Sequence, residues 1–224
     1  MEHGESATRL LTSEGMRKGL DALNEEIGKS ELLMSVAPIR LISVGGSLAV
    51  LLCGNRNSST DIDCILDPQV AENEEYAAEW TKVVADTAVA VNFYQGWLNQ
   101  QLAIFIRRDK RRTLFLESIQ QGITIYEGDH LIIYAGLLNW ALERKIRRVA
   151  HATDRQREKN VDTPDAAAII KLMASRDEYA TPLTFEFLRG LNYNGFDVAP
   201  TDGAIREVAK FYEETYGNVG ITEK

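Results

Sequence analysis

Asp61 and Asp63 stand one residue apart in a 224-residue chain, with Ile62 between them. On a β-strand, residues i and i+2 share a face, so the two carboxylates would stand side by side while Ile62 turns the other way. Like charges that close are costly unless a positive charge sits between them, and a divalent cation is the obvious candidate. Thirteen residues separate this pair from Gly45-Gly46-Ser47, which follows an apolar run. Glycines let a backbone approach a phosphate closely, helix N-terminal N–H groups favour anions, and Ser47 adds a hydroxyl. Together they would make a triphosphate site, with Mg²⁺ on the aspartates bridging the phosphates.

Each residue also has a plainer reading. The aspartates are polar residues at a strand start, Gly45-Gly46 is a turn, and Arg56 is a surface side chain. His3, His130 and His151 are too dispersed for a metal site, and no Cys/His zinc spacing or Walker-type glycine loop occurs. Trp80, Trp97 and Trp140 fall on apolar faces and read as core.

The pattern around these residues predicts the elements that hold them. Leu11, Met16, Leu20, Leu23 and Ile27 recur at helical spacing through 13–30. Ile39 to Val44 reads as a strand, Leu48 to Cys53 as a short helix opening from the glycine turn, and Asp61 to Leu66 as the next strand. A helix is expected over 70–91 and strands over 102–106 and 123–126. The basic cluster 107–112 reads as a charged hairpin tip or, alternatively, an RNA-backbone contact. From Leu131 helical periodicity predicts one long helix to residue 152. Further helices follow: one opened by Pro164 and capped by Asp162 or Thr163, one over 184–191, and one capped by Thr201 or Asp202 and running to Tyr216. This is an α+β chain: a mixed sheet flanked by helices over 1–128, then a helical region over 129–224.

The net charge of −8 works against nucleic acid as a general partner, leaving RNA only a local basic patch. Cys53 and Cys64 form no disulfide framework and suggest a reducing compartment, with both thiols buried and inert. No signal peptide or run of about twenty apolar residues is present, so the expected location is cytoplasmic with no membrane partner.

The Gly45-Gly46-Ser47 turn, the spacer and Asp61-Ile62-Asp63 resemble the signature of the nucleotidyltransferase (polymerase-β-like) superfamily. Trp97-Leu98-Asn99 resembles an element of an uncharacterised branch of that fold. Leu137-Leu138, Lys145, Arg155, Lys159, Asp162 and Asp165 resemble the helical region of that branch and of abortive-infection-type nucleotidyltransferase toxins. The resemblance spans about 38–175. It implies a nucleotidyltransferase-like sheet, with Gly45, Gly46 and Ser47 on the nucleotide phosphates and one or two Mg²⁺ ions on Asp61 and Asp63. Lys145 would face the triphosphate or support the metal-binding strands, whereas a lysine in the basic stretch 143–148, read without the resemblance, faces solvent.

One departure bears on catalysis. The superfamily usually adds a third carboxylate on a neighbouring strand, and the expected strand 102–106 carries no acid. Gln100 stands where related sequences tend to place one, and Glu117, Glu127 and Asp129 are the substitutes to test. Two functions are therefore open: Mg²⁺-dependent transfer of a nucleoside monophosphate from an NTP to a hydroxyl acceptor, or a catalytically impaired protein of the same fold that binds nucleotide or a protein partner.

Overall fold

The computed structural model describes residues 10–151, 161–193, 195 and 198–223. They divide into two compact units, one within the bounds 1–105 and 111–136, the other within 106–110 and 137–224.

The first unit opens with strand β1 (Leu11–Thr12) and helix α1 (Ser13–Lys29). Thr12 caps α1 by accepting the Gly15 N–H, and Met16, Leu20, Leu23 and Ile27 form its buried face. After α2 (Glu31–Met34) comes β2 (Ile39–Val44), then the glycine turn and α3 (Gly46–Leu48), which continues as a π-helical segment over Ala49–Cys53. β3 (Ser58–Ser59) and β4 (Ile62–Leu66) follow.

The helix expected over 70–91 is two helices, α4 (Pro68–Ala71) and α5 (Glu74–Ala90). Asn73 separates them because its side chain accepts the N–H groups of Glu75 and Tyr76 and starts α5 afresh. Next come β5 (Leu98–Asn99) and a 3₁₀ segment over Gln101–Phe105, then α6 (Arg108–Gln120). The strand expected over 102–106 is thus replaced by β5, four residues earlier. Leu102 and Ile106 are buried while Ile104 and Phe105 are exposed, a helical rather than an alternating pattern. The basic cluster begins a helix instead of tipping a hairpin.

β6 (Thr124–Glu127) and β7 (Leu131–Ala135) complete a five-stranded sheet in the order β5-β4-β2-β7-β6. β4 is antiparallel to β2, β7 is parallel to it, β5 is parallel to β4, and β6 is antiparallel to β7. The single long helix expected from Leu131 is therefore a strand followed by a helix. Leu131, Ile133 and Ala135 are buried, and the sheet continues past residue 128 to Ala135. A separate two-stranded pairing of β1 with β3 sets Leu11 opposite Ser59 and Thr12 opposite Ser58.

The second unit is mainly helical, with α7 (Leu138–Ala150), α8 (Asp162–Ala174), α9 (Phe185–Arg189) and α10 (Asp202–Tyr216). β8 (Leu183–Thr184) and β9 (Ile221–Thr222) pair in parallel. Thr201, one of the two caps anticipated, caps α10, while Thr184 caps α9 instead of lying inside it. α8 begins differently: Val161 is its N-cap, and Asp162 and Thr163 lie inside the first turn. Trp80 and Trp97 of the first unit and Trp140 of the second are buried core residues.

Candidate functional site

The sheet register explains where the paired aspartates stand. Ile62 is buried, and its N–H donates to the Trp97 carbonyl at 2.7 Å. Asp61 and Asp63, on either side of it, are both partly exposed, as the alternation of a strand requires. Asp63 pairs with Val44 on β2 and with Asn99 on β5, so Val44, Asp63 and Asn99 form one row across three strands. Val44 is also the last residue before the glycine turn, which brings the turn to the same end of the sheet as Asp63.

Gly45 has φ +84°, a conformation that L-residues with a side chain rarely adopt. A Cβ at Gly45 would lie 3.1 Å from the Asp63 Oδ2 atom, so the carboxylate sits directly against the turn. At Gly46 a Cβ would collide with the Ser59 side chain. The loop between turn and aspartates therefore folds back over the second glycine, and the β1–β3 pairing holds it there. The two glycines have separate local causes: conformation at 45 and the close approach of Ser59 at 46.

Ser47 points inward. It is fully buried, with its hydroxyl 2.7 Å from that of Ser43 and 3.2 Å from the Val44 carbonyl. Ser43 in turn donates to the Asp63 main-chain carbonyl at 2.8 Å. This hydroxyl chain ties the turn to the aspartate strand, and it commits Ser47 to the interior. Ser47 thus braces the turn from the interior.

Asn99 is the site residue the sequence did not single out for this position. Its Nδ2 donates to the Asp61 Oδ2 at 3.2 Å and to the Gly96 carbonyl at 3.3 Å, and its Oδ1 accepts the Gln101 N–H at 3.1 Å. Trp97 anchors the strand: it is fully buried, packs edge-on against Phe93 with centroids 5.5 Å apart, and donates from Nε1 to the Val84 carbonyl. The Trp-Leu-Asn string was visible; the missing step was that it forms the neighbouring strand. Cys64 lies behind the same row, buried, with its thiol 3.4 Å from the Asn99 carbonyl. Burial pushes that thiol's pKa up, and the nearby Asp63 charge adds to the effect, so it is not a reactive thiolate.

The substitutes for a third carboxylate lie elsewhere. Glu127 pairs through Ile132 with Arg40, at the opposite end of β2 from Val44, and its strand is three places from β4. At about 4.8 Å per strand this alone is roughly 14 Å. Asp129 follows Glu127 in the turn to β7. Glu117 is exposed on α6, and Gln100, also exposed, carries no charge. Among the described residues no cluster of three or more His, Cys, Asp or Glu side chains could hold a metal ion.

The donor set still suits Mg²⁺ that arrives with a nucleotide. Magnesium commonly takes one or two protein carboxylates and completes its octahedron with phosphate oxygens and water. Asp61 and Asp63 supply two carboxylates, and that of Asp63 lies directly against the glycine turn.

Lys145 belongs to the second unit. It is buried, with its ammonium 2.9 Å from Asp162 Oδ1 and 2.6 Å from Asp165 Oδ2. Arg148 reaches the other Asp162 oxygen at 2.9 Å. Burial alone would raise the Asp162 pKa, but Lys145 and Arg148 together outweigh it and hold the carboxyl below the usual range. The solvent-facing reading of Lys145 is overturned, because α7 turns this lysine toward the first turn of α8. Glu143, also fully buried, accepts the Tyr193 N–H at 2.7 Å and pairs with Arg147 at 2.9 Å. Burial raises its pKa, and Tyr193 and Arg147 offset only part of that rise. Arg155 and Lys159 lie outside the described residues.

The basic residues at 107–112 are mostly exposed; Arg107 pairs with Asp109 at 3.1 Å and donates to the Gly195 carbonyl at 3.2 Å. No helix among the described residues is long and apolar enough to cross a membrane. In comparison with known proteins, the chain matches no family model, no curated protein and no solved structure.

Proposed function

We propose that this protein binds a Mg²⁺–nucleoside triphosphate at the Gly45-Gly46 turn and transfers the nucleoside monophosphate to a hydroxyl acceptor. The supporting observation is the juxtaposition of turn and acid: the Asp63 carboxylate lies against Gly45, and Asp61 stands on the same side of buried Ile62. In this reading Asp61 and Asp63 hold the cation, and the main chain of the Gly45-Gly46 turn meets the phosphate oxygens. Ser47 and Ser43 keep turn and strand in register. A cation held by Asp61 and Asp63 would supply charge neutralisation at the phosphates and so favour departure of pyrophosphate. The acceptor oxygen bonds to the α-phosphorus as the bond to the bridging oxygen breaks, and the hydroxyl proton passes to solvent.

Lys145 has a structural role in this account. Its ammonium is already shared by two carboxylates, so it braces α7 against α8. The acceptor is a small molecule, a protein or an RNA end.

A second reading, nucleotide binding without turnover, is favoured by a specific observation: the neighbouring strand sets the neutral Asn99 amide, not a carboxylate, against Asp61. Mg²⁺-dependent pyrophosphate release, measured with each NTP against a panel of hydroxyl acceptors, separates the two. Release that disappears in Asp63→Asn supports transfer. Mg²⁺-dependent nucleotide binding with no release supports the second reading and removes the first.

A further inference from the structure

We infer that Asn99 is the positioning residue of Asp61, and that its neutral side chain in the third place beside the carboxylates limits the site to one divalent ion, held jointly with the nucleotide. This inference rests on the Mg²⁺–nucleotide reading of the site.

Three of the four hydrogen-bonding positions of the Asn99 amide are committed. The carbonyl oxygen is held by the Gln101 N–H, so it faces its own chain, and the NH₂ group is divided between Gly96 and Asp61. An amide held in this way turns its N–H, not its oxygen, toward the Asp61 carboxylate. It fixes one oxygen of Asp61, Oδ2, and leaves the other to bond elsewhere; Thr60 Oγ1 lies 3.4 Å from Oδ1. Partners of this kind orient a ligating carboxylate and typically contribute about 10–100-fold in metal affinity.

The same geometry sets the ion count. With the triphosphate supplying most of the negative charge, two ions about 3.5–4 Å apart still need protein carboxylates that reach each of them. Asp61 and Asp63 supply two, and the next residue in the row, Asn99, supplies none. One ion shared with the triphosphate satisfies the site; a second would lack a protein ligand on the Asn99 side.

The inference predicts what a carboxylate at this position does. In Asn99→Asp, two carboxylates would face each other where an amide and a carboxylate now meet at 3.2 Å. Without metal they would share a proton or repel. With metal they become a bridging pair, so the variant gains an ion.

The test counts bound Mn²⁺ by electron paramagnetic resonance on the full chain, with Mn²⁺ alone and with non-cleavable α,β-methylene triphosphates of the four bases. The proteins are wild type, Asn99→Asp and Asn99→Leu, each checked for its thermal transition. The expected result is one Mn²⁺ per wild-type chain with nucleotide and two per Asn99→Asp chain. Asn99→Leu binds one ion at least about tenfold more weakly. Mn²⁺ alone binds Asn99→Asp at least about tenfold more tightly than wild type, and raises the melting temperature of that variant more than that of wild type. Two ions on wild type, no gain in Asn99→Asp in either arm, or wild-type affinity in Asn99→Leu overturns the inference. If wild type takes no ion with any nucleotide while Asn99→Asp gains affinity for Mn²⁺ alone, the nucleotide reading and the count of one fail together. The position of residue 99 beside the carboxylates then still stands.

Discussion

The Ser47 hydroxyl lies 2.7 Å from the Ser43 hydroxyl, inside the first unit and behind the glycine turn. A serine that follows two glycines invites assignment to a phosphate, yet this one is spent on tying β2 to the helix that follows it. Ser47→Ala is expected to lower stability by about 1–3 kcal/mol, because Ser43 loses a buried partner. Nucleotide affinity should change less than threefold. Urea denaturation and ligand titration on the same variant read the two effects separately; unchanged stability with lost affinity would reassign Ser47 to the ligand.

The glycines should respond for different reasons. Gly45→Ala forces a side chain into φ +84° and against Asp63, and is expected to cost about 1–3 kcal/mol together with metal-dependent binding. Gly46→Ala is harmful because of Ser59, so Gly46→Ala/Ser59→Gly should recover much of the loss. A double-mutant cycle by thermal denaturation measures that coupling. Additive effects would show that Ser59 is not what makes residue 46 a glycine.

Lys145→Met would leave Asp162 and Asp165 buried without their shared cation, at an expected cost of about 3–5 kcal/mol. Replacing all three by neutral residues (Lys145→Met, Asp162→Asn, Asp165→Asn) should be milder than the single change. Denaturation curves that rank them the other way would contradict a bracing role.

Asp162 gives this cluster a pH signature. Its folded pKa is depressed, so its stabilising contribution is fully present above the ordinary carboxylate value, about 3.9, and is lost as pH falls through the folded value. The stability difference between wild type and Asp162→Asn should therefore be constant from pH 7 to about 5 and shrink below about 4. Glu143 acts in the opposite sense. Its raised pKa makes its burial costly at neutral pH, and that cost is relieved as pH falls toward its ordinary value. Denaturation across pH 3–7 checks both signs.

What the sequence made legible was the local frame of the site. Ile39 to Val44, the glycine turn, and Asp61 to Leu66 each carry their own signal, alternation or turn chemistry, within a few residues. The strands that complete the row depended on partners far along the chain. β5 has two residues and no alternation to read; it is a strand because Trp97 is buried and Ile62 bonds to it. Leu131 to Ala135 merges into the apolar start of α7, and a buried parallel strand has no period that separates it from a helix. The basic start of α6 misled for an electrostatic reason, since cations are disfavoured at a helix N-terminus. Asn73 was the opposite case: a readable cap inside what looked like one helix. Lys145 needed tertiary context, because its position in a basic stretch gives no hint of the two aspartates that enclose it.

The most direct test of the central claim is calorimetric titration of ATP, GTP, CTP and UTP with Mg²⁺, on wild type and on Asp61→Ala/Asp63→Ala. The account predicts binding of at least one nucleotide that requires Mg²⁺ and is abolished in the double variant, with the fold intact. No binding by wild type, or binding that survives loss of both aspartates, would contradict it.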